Sequence, residues 1–92
     1  MIDDLGIEIN DFGSTFKVYP NPTFGNLSVE LGNVYNETTV KVYNALGQVL
    51  VNESFGSTDT LSIQIAGTTG MYILEIKTEV GKSAKIRVIK SK

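Results

Sequence analysis

Apolar residues recur at every second position through most of this chain, and no ten-residue stretch carries helical spacing. Leu27, Val29 and Leu31 alternate with Ser28 and Glu30, and Leu61, Ile63 and Ile65 alternate with Ser62 and Gln64. Tyr72, Leu74 and Ile76 oppose Ile73, Glu75 and Lys77, while Ala84, Ile86 and Val88 oppose Lys85, Arg87 and Ile89. Period two makes strands with one buried face and one wet face, and two such faces packed together make a sandwich. Turn signals recur about every ten residues from Thr15 on, the rhythm of an all-β sandwich. The reading is a seven-stranded antiparallel immunoglobulin-like β-sandwich with almost no helix. Its strands are expected at 15–19, 26–31, 38–43, 48–55, 60–65, 71–78 and 83–90. Val40 and Val42 point inward with Lys41 outward, and Val49, Val51 and Phe55 share one face. Val29, Val40, Val42, Ile63, Leu74, Ile76 and Ile86 should lie in the core.

The connections support hairpins. Asn44-Ala45-Leu46-Gly47 fits a type I turn with Gly47 in the left-handed conformation, and Glu79-Val80-Gly81-Lys82 is a similar short turn. Gly56-Ser57-Thr58-Asp59 is looser. Gly47 and Gly70 both end connections where a side chain would be strained, so at least one should have positive φ. Tyr72, near the start of the sixth expected strand, is placed to bond back to the preceding connection, as a tyrosine does in immunoglobulin-like sandwiches. Tyr19-Pro20-Asn21-Pro22 holds both prolines; each fixes φ near −65°, donates no backbone hydrogen bond and extends the residue before it. The tetrapeptide is a stiff kink that ends one strand and aims the next.

The 92 residues suffice for one domain, and about fifteen inward aliphatic side chains can support two layers without staples. There is no cysteine for a disulfide or thiolate site and no histidine to serve as base or ligand. The net charge of −2 leaves no footprint for nucleic acid. No stretch approaches the roughly 18 apolar residues of a membrane span. The first residues are acidic where a signal peptide is basic and apolar, so the chain reads as carrying no N-terminal export signal of its own; if it is exported, it is a piece of a larger protein with Met1 an added start. Carboxylates lie in the N-terminal segment, on outward positions or in turns, with no nucleophile and base pair, so the reading is not an enzyme. Asp3, Asp4, Asn10 and Asp11 cluster as oxygen donors without the spacing of a calcium loop, and no cofactor or metal is expected. The N-x-S/T triplets at Asn26, Asn36 and Asn52 are weak signals, and Tyr43 and Tyr72 read as packing rather than a carbohydrate platform. Residues 1–12 carry only acids, and residues 83–92 carry Lys85, Arg87, Lys90 and Lys92 with no acid. Two solvated ends explain this; so does a basic terminal strand presented to a partner.

Taken in order, several of these pieces resemble one family. They are Val18-Tyr19-Pro20-Asn21-Pro22, Gly25 with Leu27-Ser28-Val29, the stretch from Val40 to Val49 through Asn44-Ala45-Leu46-Gly47, Gly70-Met71-Tyr72-Ile73-Leu74, and Gly81-Lys82-Ser83 followed by Lys85 to Lys90. This order and spacing resembles the type A C-terminal sorting domain of the type IX secretion system, the Por secretion tail family of certain Gram-negative bacteria, over residues 16–92. Met71 stands where a β-branched residue is usual, and Arg87-Val88 where lysine and leucine are common. The resemblance implies an upstream cargo that enters the periplasm by its own signal and folds there. The C-terminal sandwich is then read by an outer-membrane translocon and a shuttle barrel. A sortase-like peptidase removes it upstream, and the cargo ends at the cell surface or in the medium. Residues 1–15, of which 1–14 read as linker with room for one short strand, would be the junction to that cargo and the place of cleavage. Recognition candidates are Tyr19, Pro20, Asn21, Pro22, Gly47, Gly70, Tyr72, Lys85, Arg87, Lys90 and Lys92.

The alternatives are an immunoglobulin-like or fibronectin-like module for adhesion or carbohydrate binding, and a plain spacer for a surface enzyme, since sandwiches host many functions. Position discriminates: a sorting domain closes its protein, while an adhesion module can be internal and repeated. Were the last strand to lie at a sheet edge, it would present unpaired backbone groups guarded by Lys85 and Arg87. Copies of the chain, or a translocon strand, would then pair with that edge.

Overall fold

A computed structural model describes residues 7–91 as two facing sheets, with no helix among the described residues. The strands are β1 (Ile7–Asn10), β2 (Lys17–Tyr19), β3 (Asn26–Tyr35), β4 (Thr38–Tyr43), β5 (Val49–Phe55), β6 (Thr58–Gln64), β7 (Gly70–Thr78) and β8 (Ser83–Lys90). One sheet has the order β1-β8-β7-β4-β5 and the other β2-β3-β6. Every ladder is antiparallel. The seven expected strands are β2 to β8, and the fold is the immunoglobulin-like sandwich that the alternation called for.

The alternation also selects the core. Leu27, Val29, Leu31, Val40, Val42, Leu61, Ile63, Ile65, Leu74, Ile76, Ile86 and Val88 are all at most 2% exposed. Each buried aliphatic of this kind contributes about 1.5–3 kcal/mol relative to exposure. All seven residues named for the core lie in this set. Tyr72 and Ala84 are buried beside them, and Val18, Val51 and Phe55 pack at the margin.

Several details differ from the sequence reading, among them β6, which opens at Thr58 inside the turn expected over Gly56-Ser57-Thr58-Asp59. The second expected strand does not stop at Leu31: β3 runs on to Tyr35 through a register shift between Glu30 and Tyr35, where Gly32 takes φ 90°. Val49 does not share the inward face of Val51 and Phe55. Val51 opposes Val42 but Val49 opposes Tyr43, so Leu50 is an extra residue in a bulge that turns Val49 outward, 50% exposed.

Residues 7–12, expected within the linker, are part of the sandwich. β1 pairs with β8, and Phe12 is buried, stacked on Phe16 at 5.1 Å and edge-on to Tyr35 at 5.6 Å. Finally, β8 is not an edge. β7 pairs along one side over its full length, and β1 covers its first half on the other. The second half of that side is closed by residues 21–23, so the motive for edge pairing at β8 disappears.

Candidate recognition surface

The proline-rich segment closes β8 with a side chain acting as backbone. Pro20 and Pro22 have no N–H to offer, so a ladder cannot be continued by main chain there. Asn21 supplies both functions instead: its Nδ2 donates to the Arg87 carbonyl at 3.1 Å and its Oδ1 accepts from the Ile89 N–H at 3.1 Å. Thr23 resumes the pairing through its own backbone, donating to Ile89 O at 2.9 Å and accepting from Ser91 N at 2.7 Å. Both X–Pro bonds, Tyr19-Pro20 and Asn21-Pro22, are cis. The Thr23 side chain is fully buried; its hydroxyl donates to Asn26 O and accepts from Gly25 N. Gly25, at φ 135°, lets the chain approach β6 so closely that a Cβ would sit 3.3 Å from the Ile65 carbonyl oxygen. Its own carbonyl accepts from Ile65 N at 2.7 Å. The kink is thus a seam between the two sheets.

The turn and strand-entry motifs meet at one end of the five-stranded sheet. Asn44 organises its turn by accepting Leu46 N and Gln48 N on Oδ1, and Gly47 closes it with N–H to Asn44 O at 2.9 Å. Gly47 has φ 86° and Gly70 φ 147°, so both glycines, and not one alone, take positive φ. The buried Tyr72 donates its hydroxyl to the Thr68 carbonyl at 2.5 Å, the bond back to the preceding connection.

On the outward face, three rows of side chains follow from the register. Lys85, Glu75, Lys41 and Asn52 form one row, and Arg87, Ile73, Tyr43 and Val49 the next. Ile89 and Met71 form the last. Met71 and Ile89 are about two-fifths exposed, and Leu46 at the turn tip is 84% exposed. A shallow depression of about 360 Å³ lies among Tyr43, the turn at Asn44 to Gly47, Met71, Ile73, Glu75 and Lys85. The result is an apolar patch rimmed by Lys85, Arg87 and Glu75. Met71, Ile73 and Ile89 were legible as apolar residues at wet positions of the alternation, but only the register places them side by side with the turn.

Other candidates lie elsewhere. Tyr19 is at the end of β2 in an open groove of about 740 Å³ that also contains Lys17, Asn21, Glu30 and Ile86. Its hydroxyl donates to Glu30 Oε2 at 2.6 Å, and that bond, before desolvation and the carboxylate's charge, raises its pKa above the ordinary 10.0. Tyr43 is raised in the same way by its bond to Glu75. Lys90 reaches across to donate its Nζ to the Gly67 carbonyl at 3.0 Å, so its charge has a structural use. Lys92, Asp3 and Asp4 fall outside the described residues. Asn10 and Asp11 are engaged by Phe12 N, Gly13 O and Ser83 N rather than gathered for a cation. Among the described residues no cluster of acidic groups could hold a metal ion.

Comparison with known proteins agrees with this architecture. A solved structure of a DUF3244 family protein with an immunoglobulin-like β-sandwich fold, from Bacteroides vulgatus ATCC 8482, superposes with a TM-score of 0.76 at 15% identity. The superposition covers 95% of this chain and 96% of that one, a likeness of fold. No curated protein matches the chain. The profile of the secretion system C-terminal sorting domain matches residues 17–90, which takes in the proline seam, the Asn44 turn, the Gly70 strand entry and β8. The chain belongs to the family of C-terminal sorting domains of the type IX secretion system.

Proposed function

We propose that this domain is a folded address that sends an upstream cargo to the cell surface or the medium through the type IX machinery, and that it catalyses nothing itself. The observation that carries the reading is the family match over residues 17–90. The surface we assign to recognition is the outward apolar patch of Tyr43, Met71, Ile73 and Ile89 with its Lys85 and Arg87 rim. Family-motif residues from three separate segments converge there, and burying exposed apolar area is the main source of affinity for a protein partner. Pro20, Asn21, Pro22, Gly25 and Tyr72 act one step back, by holding β8 and the turn in place. In this scheme the cargo crosses the periplasm folded, and an outer-membrane translocon with a shuttle barrel docks on the patch. A sortase-like peptidase then cuts the junction. Because β1 and Phe12 belong to the sandwich, the cut falls upstream of Ile7 rather than anywhere in 1–15.

The test is residues 1–92 fused to the C-terminus of a periplasmic reporter in a type IX-competent strain. The reporter should reach the surface or the medium. Met71→Asp with Ile89→Asp should hold it in the periplasm with little change in melting temperature, and Lys85→Gln with Arg87→Gln should reduce export more mildly. A reporter that stays periplasmic with the intact domain, in cells exporting their own cargo, would replace this reading with the adhesion module. Normal export of the aspartate variant would move recognition to another surface.

A further inference from the structure

We propose that the free edge of β5, over Val51–Phe55, is a strand-docking edge that takes an extended segment of another polypeptide carrying a basic side chain against Glu53. This inference is independent of the sorting reading and of the outward patch.

The edges of this sandwich are not equal. β2 is three residues long and stops at Pro20, and β1 is four residues long with a register shift. The opening of β6 folds on itself, with the Thr58 hydroxyl donating to Thr60 O and accepting from Thr60 N, and its outward positions are polar. β5 has no such closure. Beyond the bulge at Leu50 it is regular, with neither proline nor lysine. Among the described residues, none of its backbone groups bonds outside the ladder with β4. In an antiparallel edge strand, alternate residues turn both N–H and C=O away from the sheet. The partner that satisfies such a row is another strand.

Glu53 decides which strand. It opposes the fully buried Val40, so it points to the core-facing side, and it lies between the half-buried Val51 and Phe55. Among the described residues it has no ion-pair partner. A carboxylate facing inward on an edge strand opposes indiscriminate strand addition. A second copy pairing antiparallel through its own β5 would bring another Glu53 directly opposite or diagonally adjacent on the same face, where like charges repel. A strand with lysine or arginine at that place turns the repulsion into attraction. Glu53 therefore acts as a selectivity filter as well as a guard.

The probe pair is a six-residue peptide of alternating valine and lysine and its valine and glutamate counterpart, each added to isotope-labelled protein. Amide exchange and chemical shifts are read along β5. The valine and lysine peptide should slow exchange at alternate amides of Val51–Phe55, and the glutamate peptide should not. Glu53→Gln should weaken binding of the lysine peptide by up to about fivefold, and Glu53→Lys should reverse the preference. Since Glu53 is exposed, both variants should keep the native spectrum elsewhere. No slowing at β5, slowing at another edge instead, or an equal response to the two peptides overturns the proposal. Concentration-dependent dimerisation of the unliganded protein through β5 also overturns it, because the occupant is then a second copy.

Discussion

Replacing Asn21 by alanine removes the side chain that stands in for backbone along the second half of the outer side of β8. Two hydrogen bonds go, to the Arg87 carbonyl and from the Ile89 N–H, both at 3.1 Å. A protein hydrogen bond contributes about 0.5–1.5 kcal/mol net. Asn21 is exposed, so water can reach the two orphaned groups, and the lower part of the range applies. The expected cost is about 1–1.5 kcal/mol, which for a domain of this size lowers the melting temperature by roughly 4–12 °C. Calorimetry gives the global cost, and amide exchange at Ile89 gives the local one, which should accelerate. Asn21→Asp separates the two bonds: its carboxylate still accepts from Ile89 N–H, but it now faces the Arg87 carbonyl as a second acceptor. The aspartate variant should therefore keep Ile89 protected while still losing stability. A change of less than about 2 °C in Asn21→Ala, with Ile89 exchange unaltered, would mean that Thr23 alone holds this edge.

Leu74→Ala removes a fully buried side chain and should cost about 2–5 kcal/mol by denaturant melts; against a total of about 5–15 kcal/mol, export of a fused reporter should fall with it. Gly25→Ala meets both positive φ and the Ile65 carbonyl at 3.3 Å, whereas Gly47→Ala at φ 86° meets open space. Both should destabilise, the first by about 1–3 kcal/mol and more than the second, and equal melting shifts would refute the close approach. Glu79 accepts the backbone N–H groups of Glu37 and Asn36, and the Glu37 bond is the main cause holding its carboxyl below the ordinary 4.5. Its folded pKa is depressed, so its stabilisation is complete above 4.5 and is lost as pH falls through the lower folded value. Glu79→Gln should flatten that part of the acid melting profile, and a Glu79 carboxyl titrating at 4.5 by NMR would remove the basis.

Period-two alternation was enough to name the fold and seven of its core residues, because a strand with one apolar face has few ways to hide it. Glycine and tyrosine positions carried local chemistry that depends on few partners: Gly47 in its turn and Tyr72 on Thr68 could be read from neighbours in sequence. What the alternation could not convey was which strands become neighbours. The place of β8 inside its sheet depends on β1, seventy-odd positions away, and on a side chain between two prolines that imitates a strand. Neither has a periodic signature. Leu50 adds a single residue to β5 and reverses Val49, a change that exists only relative to the register of β4. Likewise, the apolar patch and the open edge with its inward Glu53 are properties of pairing between strands. Alternation along a chain tells each residue which face it occupies, but only long-range hydrogen bonding decides what lies beside it.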